Sequence, residues 1–254
     1  MDIVFFHGLQ PTGDYRHAWR EAWQQGGSSA CWPDTLLSHD FPAARIMSVC
    51  YDSAAWEARD QGRMDLVDIG REVANNLVVV GAGKRPLVLV AHSLGGLVVK
   101  QVCLELADRA ASSLDPAVNR RAAAALGAVK GMAFYSTPHA GSQLASNAVV
   151  KAVATGKVMQ NLQIHNEATG ELNWRFHELR TKEGWIRLSL YETQATGWVR
   201  RQACLCKLVY APAGAGAAQP FHALSPPTHI CILCRLGTDP SAACRLYIES
   251  GFHD

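Results

Sequence analysis

The sequence predicts an α/β fold, a mostly parallel sheet with helices on both faces, from three observations. Strand-like apolar runs alternate with helical segments along the chain. One run, residues 87–90 (LVLV), is unbroken and branched, as suits a strand covered on both sides. It passes directly through Ala91, His92, Ser93, Leu94, Gly95 and Gly96 into residues 97–110, where apolar side chains recur at helical spacing with charges on one side. A strand, a serine between small residues and a helix, in that order, form a turn that presents a nucleophile.

Residues 3–6 form the first strand and residues 45–51 (RIMSVCY) the second, separated by a stretch containing Trp19, Trp23 and Trp32. An amphipathic helix is expected over 64–80, followed by the strand, elbow and helix already described. A polar linker is expected around 115–121. The next strand covers 128–135 (AVKGMAFY) and ends in Ser136-Thr137-Pro138-His139-Ala140-Gly141-Ser142. Residues 149–163 and 171–180 have helical patterning and are expected to form a small cap over the site. Trp174, Phe176, Leu179 and Trp185 there suit either core packing or the lining of an acyl pocket. Residues 185–191 (WIRLSLY) are the last clear strand, and no internal repeat is visible.

Size and composition fit one catalytic domain. A chain of 254 residues, 48% hydrophobic and 18% charged, can bury a large core as one α/β unit. A net charge of +2 is too mild for a nucleic-acid partner. There is no apolar run of the roughly 18 residues that a membrane span needs. The N-terminus lacks the basic and apolar regions of a signal peptide, so the expected location is cytoplasmic. Cys50 and Cys103 lie in apolar segments as buried thiols would, whereas five of the eight cysteines follow residue 200. Cys204-x-Cys206 and Cys231-x₂-Cys234, with Cys244 nearby, invite a zinc reading. The first pair is tighter than the usual knuckle and no glycine-rich turn accompanies either, so no metal and no cofactor is expected.

The serine at the elbow reads as the nucleophile of an α/β-hydrolase fold, with Ala91 and Gly95 as its small flanking residues. A serine that merely caps the following helix is the bland alternative. A serine nucleophile needs a base, an acid to orient that base, and donors for the oxyanion. One donor is expected at the amide of Leu94, at the start of the helix, where free N–H groups and the helix dipole favour negative charge. The other is expected after the first strand, where Gly8 permits close approach and Leu9 or Gln10 supplies the amide. His7, His92, His139 and Asp52 are expected to shape the site. His139 follows a strand end where catalytic loops gather, but chain order in this fold is serine, acid, histidine, which argues against it as base. Glu192, just past the last strand, is the preferred acid, with Asp52 the alternative.

The blocks His7-Gly8, Tyr51-Asp52, Ala91 to Gly96, Thr137 to Ser142 and Leu190-Tyr191-Glu192-Thr193 occur in the order of a known family. From residue 3 to about residue 196 the chain resembles the lipase-like α/β-hydrolases grouped with the SERAC-type serine active-site proteins and, more distantly, the GPI inositol-deacylases. The resemblance implies hydrolysis or transfer of an acyl ester of a lipid by Ser93. It also implies peripheral membrane contact and an association with the mitochondrion or endoplasmic reticulum. Residues 1–198 are therefore expected to form the hydrolase domain. Residues 199–254 form a divergent tail rich in Ala, Pro, Gly and Cys, read as disordered or non-native sequence. Within it His229, at a spacing from Glu192 comparable to the family's, is the preferred base, and His222 and His253 are weaker candidates. Should the tail not hold His229 beside Ser93, the alternative is a catalytically impaired hydrolase fold serving as an interaction module.

Overall fold

The computed structural model describes residues 1–9, 18–24, 31–51, 53, 65–111, 115–139 and 167–192, and the backbone of 206–208. Its centre is a six-stranded sheet made of β1 (Asp2–Phe6), β2 (Arg45–Val49), β3 (Leu87–His92), β4 (Val129–Tyr135), β5 (Ile186–Glu192) and β6 (Cys206–Leu208). The spatial order is β2-β1-β3-β4-β5-β6, with the first five strands parallel and β6 antiparallel at the edge. The strand expected to carry the serine is thus central, paired with β1 on one side and β4 on the other.

Parallel strands need crossovers, and here these are α3 (Leu66–Val79), α4 (Gly95–Ala111), α5 (Pro116–Ala128) and α6 (Glu167–Glu183); α1 (Ala18–Glu21) and α2 (Ser38–Asp40) are short. Val4, Phe6, Leu89, Ala91, Met132 and Phe134 on one sheet face join the apolar sides of α3 to α6 in the larger core. The opposite face, through Phe5, Val90, Ala133 and Leu190, is covered by Trp23 and Cys31 of the tryptophan-rich stretch, with Trp32 packed against them. Phe5 meets both Trp23 and Trp32 edge-on, at centroid distances of 5.0 and 5.4 Å.

Two expectations change. Residues 115–121 are not a linker but the start of α5: the Asp115 carboxylate accepts from Ala117 N and Val118 N, and Pro116 occupies the first turn. The helix expected at 171–180 exists as α6 but packs in the layer beside α4. Its Phe176, together with Trp185, lies in the main core, while Trp174 is 65% exposed. Within the tail, Cys206–Leu208 pairs with β5, Glu192 lying opposite Cys206. Residues 149–163 lie outside the described residues. At the other end of the sheet, buried Asp2 receives Arg45 Nη2 at 2.6 Å and Arg45 Nε at 3.1 Å, and Arg85 Nε lies 3.3 Å away. No helix among the described residues is long and apolar enough to cross a membrane.

Candidate active site

Ser93 follows β3 directly and adopts a left-handed backbone with φ +52°. That conformation disfavours residues with a Cβ and suits a sharp strand-to-helix reversal. The turn is fixed on both sides. Ser93 N donates to Tyr135 O at 2.8 Å, continuing the ladder with β4, and Gly96 N donates to Ser93 O at 3.1 Å. The amide of Leu94 precedes this first bond and so stands outside the helical ladder. Leu94 itself is fully buried.

The glycines of the elbow are dictated by contact. A Cβ on Gly95 would stand 2.5 Å from Phe6 O and 2.6 Å from His7 O, so only glycine lets α4 begin against the end of β1. A Cβ on Gly8 would come within 2.9 Å of both Ser93 Cβ and His92 Nδ1. The loop after β1 therefore runs beside the serine. Leu9, next along, packs its side chain against the main core.

His7 is buried beneath this loop. Its Nδ1–H donates to Gly8 O at 2.9 Å and its Nε2 accepts from Tyr51 N at 3.2 Å, which sets the tautomer. The ring stacks on Tyr51 at 4.0 Å between centroids; the Tyr51 hydroxyl donates to His7 O, and Ser53 Oγ donates to Gly8 O at 2.9 Å. Burial lowers the His7 pKa to about 4. A neutral imidazole with both nitrogens engaged supports the loop and has no capacity left for proton transfer. His92, half-buried, lies edge-on to Trp23 at 6.2 Å.

His139 belongs to a buried polar cluster that the sequence did not announce. Lys100, only 4% exposed on α4, places Nζ 2.6 Å from His139 Nδ1 and donates to Asn173 Oδ1 of α6, while Asn173 Nδ2 donates to His139 O. Lys100 also lies 5.8 Å over the Phe176 ring. Burial lowers His139 to about 3, with Lys100 and Arg187 contributing, and lowers Lys100 to about 7, with Arg187 adding to the effect. The cluster ties the loop after β4 to two helices. Thr137 in that loop fills the space above Gly96, where a Cβ would meet its Oγ1 at 2.1 Å. The one available signal was a lysine and a glutamine, Lys100 and Gln101, at positions of α4 surrounded by apolar residues.

Of the other expected site residues, Glu192 is placed by its backbone at the C-terminal end of β5, one strand beyond β4. Asp52 lies outside the described residues, between Tyr51 and Ser53, which are both buried. His229, His222 and His253 also lie outside them, as do the side chains of the tail cysteines. The described parts of the site therefore gather at the C-terminal edge of β1, β3 and β4, with the end of β5 on the same edge.

The alpha/beta hydrolase family model matches residues 3–252. The chain is 35% identical to mouse (Mus musculus) SERAC1 over 162 residues, which is 58% of this chain and 23% of that protein. It is 30% identical to zebrafish (Danio rerio) SERAC1 over 214 residues, 77% of this chain and 30% of that one. It thus spans about a quarter of the length of these curated relatives. Among solved structures, Bacillus licheniformis lipase BlEst2 aligns at 17% identity and a TM-score of 0.47, covering 79% of this chain and 69% of that one. Legionella pneumophila phospholipase PlaB aligns at 15% identity and the same TM-score, covering 76% of this chain and 39% of that one. With a family match running nearly end to end over a parallel sheet whose central strand turns sharply at a serine, the chain belongs to the alpha/beta hydrolase family and is similar to SERAC1 over the stretch the two share.

Proposed function

We propose that this chain is a serine esterase, a lipase-like hydrolase that cleaves or transfers the acyl group of a lipid ester through Ser93. The observation that carries the reading is the left-handed Ser93 at the junction of β3 and α4, with Gly8 and Gly95 packed so closely that neither tolerates a side chain. Ser93 Oγ attacks the ester carbonyl while a histidine takes its proton. The amides of Leu94 and Leu9 hold the oxyanion, a contribution of about 2.7–4 kcal/mol per donor in the transition state. The histidine then returns the proton to the departing alcohol, and water releases the acyl group from Ser93 by the same route. Glu192 orients the histidine, and His229 is that histidine; the family match continues past it to residue 252. A lipid substrate is supported by the resemblance to the SERAC-type hydrolases.

The test is covalent labelling by a fluorophosphonate probe, which reacts with an activated serine. Wild-type protein should be labelled and Ser93→Ala should not. Equal labelling of both would overturn the assignment, and failure to label either, with p-nitrophenyl esters left intact, would favour a hydrolase fold acting as an interaction module. For a lipid-sized site, longer p-nitrophenyl esters should show higher kcat/KM than the acetate, because remote apolar binding is used in the transition state.

A further inference from the structure

Ser136 repeats the backbone of the nucleophile one strand away. Among the described residues, Ser93 and Ser136 are the two non-glycine positions with positive φ, +52° and +49°. They end adjacent strands in register, since β3 and β4 pair from Leu89↔Met132 to His92↔Tyr135. As Ser93 N donates to Tyr135 O, so Ser136 N donates to Leu190 O at 2.7 Å. The C-terminal edge of the sheet therefore runs from Ser93 to Ser136 to the end of β5, with neighbouring strands about 4.8 Å apart.

Glycine would adopt this φ without strain, so a serine in that conformation points to a use for its hydroxyl. Ser136 Oγ is buried and has no hydrogen-bond partner among the described residues. A buried hydroxyl without an acceptor is costly, and nothing in the fold described above uses it. We propose that Ser136 is a positioning residue of the hydrolytic site, its hydroxyl donating to the carboxylate of the residue that ends β5, which is the acid Glu192 in the reading above, on which this inference rests. The chemistry is complementary. An ionised carboxylate only accepts and has about four lone-pair sites, of which the imidazole takes one. A second donor from the strand between nucleophile and acid fixes the carboxylate, and through it the tautomer and angle of the base.

The experiment compares wild type, Ser136→Gly and Ser136→Ala by fluorophosphonate labelling rate, p-nitrophenyl butyrate kinetics and thermal unfolding. Both substitutions should lower kcat by about tenfold to a hundredfold with KM held, and slow labelling in parallel. Ser136→Gly should nonetheless unfold at no lower temperature than wild type, because glycine relieves the left-handed backbone. A loss of kcat in a protein at least as stable is what a merely structural serine would not give. If Ser136→Gly labels and turns over as wild type does, the inference is overturned while the assignment of Ser93 stands. If wild-type Ser93 is not labelled at all, the reading of the site fails and this inference with it.

Discussion

Among the described residues, three buried bases weaken the fold as pH falls. His7 is lowered to about 4 and His139 to about 3, chiefly by burial, and Lys100 to about 7. In each case the folded value lies below the unfolded one, so the unfolded chain takes up the proton first as pH falls. Stability is therefore lost on acidification: for Lys100 between about 10.5 and 7, and for His7 between about 6.5 and 4. For His7, which is fully buried, the shift corresponds to about 3 kcal/mol once pH reaches its folded value. Urea unfolding should give a distinctly lower free energy at pH 5 than at pH 7. His139→Gln, which keeps an acceptor for Lys100 and does not titrate, should reduce that drop; an unchanged drop would remove His139 from the account. The sharp turn at Ser93 was legible in the sequence because strand, serine and helix are contiguous there. Lys100 was not, because its partners His139 and Asn173 are 39 and 73 residues away and only the fold brings them to it.

At the scale of elements, the elbow works only because α4 starts against the end of β1. Gly95→Ala would drive a methyl into the Phe6 and His7 carbonyls, which are backbone and cannot swing aside. That overpacking should cost about 1–3 kcal/mol. It should also displace Ser93, so denaturant unfolding and probe labelling should fall together; retained labelling would show that the helix start can shift without moving the nucleophile. α6 offers the contrasting case. Phe176 lies in the core beside Phe134 and Trp185, whereas Trp174 projects outward. Phe176→Ala should cost about 3–5 kcal/mol, against a change within about 0.5 kcal/mol for Trp174→Ala. Strands β1 to β5 were legible from apolar-rich runs, with boundaries close to those observed. α5 was obscured by the polar residues Asn119, Arg120 and Arg121, although Asp115 followed by Pro116 is a helix-start signal and the alanines after Arg121 favour continuation.

Over the whole molecule, the two ends of the sheet divide their work. The N-terminal edge carries the buried Asp2 with Arg45 and Arg85, a stability device remote from the elbow, and the C-terminal edge gathers the loops after β1, β3 and β4 and the end of β5. A site of this kind is legible from sequence in proportion to how local its parts are. The proposed nucleophile and its glycines fall within a few consecutive residues, while the proposed acid and base lie on later returns of the chain, where a single carboxylate or histidine carries no local signature. The proposed acid at least lies at the end of a recognisable strand. The base has no such marker, and the proposed His229 stands on its spacing from Glu192 and on a family match that extends beyond it. Triad members act as one unit, so His229→Ala should lower kcat nearly as far as Ser93→Ala does, to the residual acceleration of about 10³–10⁴-fold over water that binding and the oxyanion donors supply. His222→Ala and His253→Ala, measured beside it on the same p-nitrophenyl ester, should leave kcat unchanged. Full activity in His229→Ala would assign the base to another histidine, and a loss in one of the two companions would say which.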